Sequence, residues 1–345
     1  MTERIGVGFV GAGGVVKTIH VPTLARMSND FHVAAVWDVD AETAGSIAAQ
    51  TGARRVETFD DLLADEEVDV LVVCSPARFH AEQIIRGMRA GKRAILCEKP
   101  LAAEAEDARL VKQAAEETGV PLLLGAMHMF DPAWAAAQSK LDSLVRDATT
   151  IRSSIALPFN DRFEAWTTEL GDRMPPSFAG DDIAQILMRQ CVMELAIHDL
   201  PLVRAFVPEG APVRVTSATL LEPFGYGITV DAGDRVLDLF GYISGSWQPD
   251  WELEVTSPSA TLHVQFPPSF VHAGSAVATI TEPAGTTVLG PFERNGYEGE
   301  WELVRDLARG NDVAIPPVAQ LVEDFRFALS IAEQSCALLA RENQK

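Results

Sequence analysis

An apolar run, Ile5 to Val10, leads straight into Gly11-Ala12-Gly13-Gly14-Val15-Val16 at the start of the chain. A buried strand that ends in Gly-x-Gly and opens a helix is the phosphate-holding turn of a nucleotide-binding βα unit. The first glycine permits the tight turn and the second lets the backbone approach a pyrophosphate. The helix N-terminus supplies free N–H groups and the positive end of its dipole. The third glycine position, which serves close helix–strand packing, falls on Val16. On its own such a turn also fits an ordinary strand-to-helix junction.

A second apolar segment, Val33-Ala34-Ala35-Val36-Trp37, ends in Asp38, 25 residues after Gly13. A carboxylate at that distance accepts hydrogen bonds from the adenosine ribose hydroxyls. Val39 and Asp40 follow, so no basic side chain there meets a 2′-phosphate. The cofactor expected is therefore NAD rather than NADP. Its expected contacts are Gly11, Ala12, Gly13, Gly14, Val15, Val16 and Asp38, together with Ser75, Pro76, His80, Glu98 and Lys99 from later strand ends.

At 345 residues the chain has length for two domains, each with its own core. Its formal net charge of −21, with no basic block to offset it, argues against nucleic acid and anionic membranes as partners. No apolar stretch is long enough to span a bilayer, and Met1-Thr2-Glu3-Arg4 enters the first strand without a secretory leader. Cys74, Cys97, Cys191 and Cys336 form no Cys-x-x-Cys pair; reduced thiols and a cytoplasmic location are expected.

Strand and helix patterns alternate up to residue 125. The strands are Ile5–Val10, His32–Trp37, Val68–Cys74, Ala94–Cys97 and Leu122–Gly125. The helical stretches are Val15–Met27, Ala41–Thr51, His80–Ala90 and Glu104–Thr118. Val68 to Cys74 is almost continuously apolar, as a parallel strand covered on both faces must be. A doubly wound parallel sheet follows for residues 1–125, a Rossmann-type NAD(P)-binding domain. Beyond it, one long helical stretch is expected from Asp182 to Phe206. Strand-like segments follow at Val213–Leu221, Ile228–Asp231, Arg235–Ile243, Trp251–Thr256, Ala260–Phe266 and Ala276–Thr281, then helices at Tyr297–Arg309 and Gln320–Ala340. Residues 126–345 are thus expected to form an α+β domain with a large, open, mainly antiparallel sheet for substrate and subunit contacts. The last helix is free to pack back on the first domain. One sheet face packs on helices and the other calls for a cover, most simply a second subunit.

Two segments offer chemistry. Lys99, in Glu98-Lys99-Pro100, follows the strand Ala94–Cys97, at the carboxyl end where ligands bind in such sheets. A lysine there can hydrogen-bond a substrate oxygen and stabilise a developing alkoxide. Glu194 and His198 stand four apart in the expected long helix and so share a face. A carboxylate beside an imidazole orients it and raises its basicity, which suits a general base that removes an alcohol proton. The same spacing also describes a plain surface pair. A metal site would need a third ligand; His128 is conceivable, but no spacing supports it, so no metal is expected. No Gly-x-Ser-x-Gly elbow is present to suggest a serine hydrolase.

Taken together, these residues resemble the Gfo/Idh/MocA oxidoreductases, a family that includes inositol dehydrogenases and glucose–fructose oxidoreductases. The resemblance rests on Gly11-Ala12-Gly13 with His20, on Asp38, on Ser75-Pro76 with His80, and on Gly91-Lys92. It continues through Glu98-Lys99-Pro100-Leu101-Ala102, Phe130-Asp131-Pro132, Glu194 to His198, and Ile331-Ala332-Glu333-Gln334-Ser335. It implies hydride transfer between NAD(P) and a sugar or cyclitol hydroxyl, in dimers or tetramers. Lys99 is then the lysine at the reacting oxygen. Glu194 and His198 match the family's Asp-x-x-x-His pair, with His198 as acid/base and His128 among the substrate contacts. Four positions depart from the family pattern: Glu194 replaces Asp, Ala77 an Asn, Met129 a basic residue, and Met188-Arg189-Gln190-Cys191 a Gly-rich approach. They bear on the substrate pocket. The departures leave two other functions open: a non-catalytic, redox-sensing or regulatory NAD-binding protein, and an epimerase or lyase that retains its cofactor through a transient redox step.

Overall fold

The computed structural model describes residues 3–158, 183–244, 249–269 and 271–342. The first element, β1 (Ile5–Val10), is buried along its whole length, because every side chain in IGVGFV is apolar or absent and both sheet faces are covered. It is flanked by β2 (Phe31–Trp37) and β4 (Val70–Val73), both parallel to it. With β3 (Arg54–Arg55), β5 (Ala94–Glu98) and β6 (Leu122–Gly125) they make a six-stranded sheet in the order β3-β2-β1-β4-β5-β6. All pairings are parallel and the order reverses at β1, the topological switch of a doubly wound fold.

The connecting helices carry their own stop and start signals. Asp40 caps Ala41–Thr51 by accepting from the Glu42 and Thr43 N–H groups, and Gly52 ends that helix at φ 75°. The helix expected at Val15–Met27 is divided. A π-helical turn, Val16–His20, precedes an α-helix, Val21–Arg26. Pro22 has no N–H for the Thr18 carbonyl, and Val21 N–H reaches back to Val16 O instead. Among the described residues, the compact unit built on this sheet comprises residues 3–126 and 297–325.

Among the described residues, the second unit comprises residues 127–158, 183–244, 249–269, 271–296 and 326–342. Its sheet has eight strands. They are β7 (Thr150–Pro158), β8 (Val213–Leu220), β9 (Phe224–Ala232), β10 (Arg235–Ser244), β11 (Asp250–Thr256), β12 (Thr261–Gln265), β13 (Val277–Glu282) and β14 (Gly285–Leu289), in the order β14-β13-β12-β11-β7-β10-β9-β8. Every pairing is antiparallel except β7 with β10. Two of these strands, β7 and β14, are absent from the sequence expectation. β7 carries a buried Ser153 in its otherwise apolar inward set, Ile151, Ile155 and Leu157. β14 is exposed and Thr-rich. Alternation is plain in β10, where Leu237 and Leu239 are buried while Val236 and Phe240 are exposed.

The unbroken helix expected from Asp182 to Phe206 is a correction. Asp182 itself lies outside the described residues. From Ile183 the chain forms an α-helix to Gln190, a π-turn at Cys191–Leu195, a 3₁₀ turn at Ala196–His198, and a short helix at Leu200–Arg204. Pro201 forces the last break: it cannot donate to the Ile197 carbonyl, and its ring would strike it. The α-helical i, i+4 argument for Glu194 and His198 therefore does not apply.

Candidate active site

Gly11 sits at φ 87°, donates its N–H to the Trp37 carbonyl at 2.9 Å, and has no room for a side chain. A Cβ there would lie 2.6 Å from the Cys74 carbonyl carbon. Gly13 is different: a Cβ built on it meets nothing within 4 Å. The protein therefore demands glycine at the first position for its own packing and leaves open space over the second, the cradle that a pyrophosphate would fill. Ala12 N–H donates to Asp38 Oδ2 at 2.7 Å and Asp40 N–H to Oδ1 at 2.8 Å. Asp38 is thus fixed beside the turn, with lone pairs left for ribose hydroxyls. Gly14 O accepts the Thr18 hydroxyl at 2.9 Å, and Lys17 N–H reaches Gly13 O at 3.2 Å. Val15 is half-buried and Val16 is fully buried.

The later strand ends of this unit are tied to one another. Half-buried Ser75 and Pro76 follow β4. The Ser75 hydroxyl donates to Gln83 Oε1 at 2.6 Å. His80 is 1% exposed, with Nδ1 at 2.7 Å from Pro100 O and Nε2 at 2.6 Å from Ser75 O. Burial lowers its pKa, while the two carbonyls and Glu98 pull it back up and Lys99 lowers it further. The ring binds the loop after β4 to the segment after β5. Lys99 is half-buried and joined to Pro100 by a cis peptide bond.

Glu98 ends β5, opposite Gly125 of β6, where a Cβ would come within 3.1 Å of its carboxyl carbon. Its Oε1 lies 3.0 Å from His20 Nε2. Trp301 Nε1 donates to His20 Nδ1 at 3.3 Å, so Nδ1 accepts and Nε2–H donates to the carboxylate. Burial pushes the Glu98 pKa up, but the His20 hydrogen bond and the charges of His20, Lys99 and His80 outweigh it and hold the group ionised below the usual carboxylate range. Glu300 does the opposite. It is 1% exposed, and burial, then the Glu98 charge, push its pKa well above the usual range. The same two causes raise the Cys74 and Cys97 thiols. In the sequence His20 enters only through the family resemblance, and Trp301 and Glu300 carry no signal of their own. His20 and Trp301 meet across 281 residues of sequence, and Glu98 lies 78 residues from His20.

In the second unit, Glu194 is exposed and His198 half-buried. The next residue, Asp199, is 1% exposed and had no assigned role in the sequence reading. Its carboxylate accepts from His128 Nδ1 at 2.8 Å, Ser153 Oγ at 2.8 Å and Trp251 Nε1 at 2.9 Å. His128 is 4% exposed, stacked on Phe266 with ring centroids 3.8 Å apart, and its centroid is 6.4 Å from that of His198. Asp131 caps the helix Pro132–Gln138 through Ala133 N–H and also accepts from Ala276 N–H at 2.9 Å. Among the described residues no group of three or more His, Cys, Asp or Glu side chains is placed to hold a metal ion, and no helix is long and apolar enough to cross a membrane.

Comparison with known proteins agrees with this layout. Residues 5–126 match the model of the oxidoreductase family with an NAD-binding Rossmann fold, GFO_IDH_MocA. An inositol 2-dehydrogenase of Saccharopolyspora erythraea is 30% identical over 289 residues, which covers 80% of this chain and 78% of the relative. A second from the same organism is 34% identical, and one from Rubrobacter xylanophilus 35%; each match spans only 41% of either protein. Among solved structures, a UDP-N-acetylglucosamine 3-dehydrogenase from Acidithiobacillus ferrooxidans has a TM-score of 0.73 at 20% identity, covering 98% of this chain and 100% of that one. A 3-ketoreductase from Actinomadura kijaniata, solved with NADP and TDP-benzene, also scores 0.73, at 17% identity, covering 96% and 98%. At these identities the structural matches speak for the fold.

Proposed function

Because this chain belongs to the Gfo/Idh/MocA family of NAD-binding oxidoreductases, we propose that it oxidises a hydroxyl of a cyclitol, sugar or sugar derivative, or reduces the corresponding carbonyl. NAD is the proposed cofactor. The observation that carries the reading is the contrast between Gly11, which packing requires, and Gly13, which faces open space beside the fixed Asp38 carboxylate. Val39, 86% exposed, and Asp40 follow Asp38, a pairing that repels a 2′-phosphate and supports NAD over NADP. The inositol 2-dehydrogenase relatives support a cyclitol or polyol as substrate.

The nicotinamide, when bound, supplies the acceptor for the hydride that leaves the carbinol carbon. The chain's own groups handle the oxygen. In this mechanism Lys99 donates a hydrogen bond to the reacting oxygen and stabilises the charge that grows on it. His198 takes the hydroxyl proton as the C–H pair departs, and returns it in the reverse direction. Glu194 and His128 bind the substrate. Ser75, Pro76 and Glu98 shape the cofactor side of the site, and His80 holds their loops together. The exposed Val236 and Phe240 on one face of the eight-stranded sheet support assembly into a homodimer or homotetramer through that face. A cytoplasmic location is proposed from the four free thiols.

The test is NADH formation from NAD across a panel of inositols, aldoses and nucleotide-linked sugars, with Lys99→Ala as control. Reduction of NAD that depends on Lys99 supports the reading. Turnover in Lys99→Ala equal to that of the wild type overturns the role of Lys99, and silence across the panel with intact NAD binding overturns the substrate class.

A further inference from the structure

Asp199 deepens the reading above and rests on it for its consequence in catalysis. The carboxylate lies in the core of the second unit, where it accepts from three donors: the His128 ring, the Ser153 hydroxyl of β7 and the Trp251 indole of β11. Indole N–H can only donate, and an ionised carboxylate can only accept. With both oxygens so engaged, the His128 nitrogen facing Asp199 must be the one that bears hydrogen. A neutral His128 ring therefore carries its proton on Nδ1, and the Nε2 lone pair points away from Asp199 with no partner among the described residues. Stacking on Phe266 at 3.8 Å and an edge contact with Trp251 at 4.6 Å prevent the ring from turning over to exchange the two nitrogens. His198, the residue before Asp199 in the chain, packs edge-on against the same Trp251 at 5.5 Å. The carboxylate thus holds His128 by a hydrogen bond, and His198 packs on the same indole that donates to it.

We propose that Asp199 is a positioning residue: it locks His128 in the Nδ1–H form, so that Nε2 is a hydrogen-bond acceptor for a substrate hydroxyl next to the one that reacts at His198. The site would then prefer a substrate with two adjacent hydroxyls over one with an isolated alcohol. Asp199 itself touches neither substrate nor cofactor; its effect passes through His128.

Asp199→Asn tests this with little change in shape. An amide that turns its NH₂ toward His128 makes Nδ1 an acceptor and moves the ring proton to Nε2, which removes the acceptor from the site. The direct readout is the ¹⁵N spectrum of histidine-labelled protein, with His128 assigned by its loss in His128→Gln. The expected result is the Nδ1–H signature in the wild type and the Nε2–H signature in Asp199→Asn. The kinetic readout is kcat/KM for a vicinal diol substrate, expected to fall about 10- to 100-fold while NADH affinity holds. Asp199→Asn should add nothing in a His128→Gln background. Ser153→Ala, which removes another donor from the same carboxylate, separates positioning from stability: its melting temperature falls, but the tautomer and kcat/KM stay near wild type. A wild-type His128 protonated on Nε2 when neutral, or Asp199→Asn with an unchanged tautomer and unchanged kcat/KM, overturns the proposal. A wild type that reduces no NAD with any substrate, while its His128 shows the Nδ1–H signature, overturns the dehydrogenase reading and leaves the tautomer assignment standing.

Discussion

Replacing Gly11 and Gly13 in turn by alanine should give opposite results, because the two glycines serve different purposes. At Gly11 the added methyl would sit 2.6 Å from the Cys74 carbonyl carbon and 2.7 Å from both the Cys74 oxygen and the Ser75 nitrogen, all of them backbone atoms. An L-residue held at φ 87° costs about 1–2 kcal/mol. Forcing a methyl into a filled site adds about 1–3 kcal/mol. The sum, about 2–5 kcal/mol, corresponds to a melting temperature lower by roughly 4–20 °C for a unit of this size. At Gly13 the added methyl meets no protein atom within 4 Å, and the backbone is outside the left-handed region. Stability should hold within about 0.5 kcal/mol, or improve slightly as the unfolded chain loses freedom. Binding of NADH should suffer instead. Each charge-assisted hydrogen bond that the methyl pushes out of reach is worth about 1.5–3 kcal/mol, or roughly 10- to 150-fold in affinity. Thermal melts and a fluorescence titration with NADH measure both effects. A Gly13→Ala protein that binds NADH within twofold of wild type would refute the cradle, and a Gly11→Ala protein that melts with the wild type would refute the packing argument.

Other consequences concern buried groups within each unit. Glu300 has a raised pKa when folded, so the folded chain holds a proton that the unfolded chain releases, and stability falls by about 1.4 kcal/mol per pH unit between the two pKa values. Glu300→Gln should therefore melt higher than wild type at pH 8, with the gap closing toward pH 5; equal melting across that range would contradict it. His20→Leu should cost on the order of 3 kcal/mol in a urea melt, since it removes the hydrogen-bond partner of the largely buried Glu98 carboxylate. Asp131→Ala should cost about 2–4 kcal/mol, because it removes a helix cap and strands the buried Ala276 N–H, and a loss below 1 kcal/mol would show the cap to be idle. Burial pushes the thiols of Cys74 and Cys97 well up and that of Cys191 up to about 12, so native protein at pH 8 should resist alkylation at these three sites, as mass spectrometry would report.

The parts of the fold that local chemistry determines were legible in the chain. β1 and β6 begin and end at the expected residues, because continuous apolar runs bounded by glycine or proline signal a strand covered on both faces. The glycine turn and Asp38 come together as the spacing implies, through the Ala12 N–H. What stayed hidden depends on partners distant in sequence. Trp301 reads as one aromatic in an amphipathic helix, and only folding brings its indole to His20. Asp199 reads as the tail of a short motif, although three donors from separate segments converge on it. Helical periodicity runs straight through Cys191 to His198, where the chain instead forms a π-turn and a 3₁₀ turn, and Pro201 accounts only for the last break, after His198. β7 could have been found from the alternation of Ile151, Ser153, Ile155 and Leu157, had a buried serine been allowed in the inward set.

The most direct test of the account follows the hydride itself. A cyclitol or sugar deuterated at its carbinol carbons is incubated with NAD and the protein, and the cofactor is then analysed by mass spectrometry. The account predicts deuterium in the NADH formed by the wild type, and label reduced by about 10²–10³-fold in rate for Lys99→Ala. NAD that binds and yet acquires no deuterium from any member of the panel would contradict it.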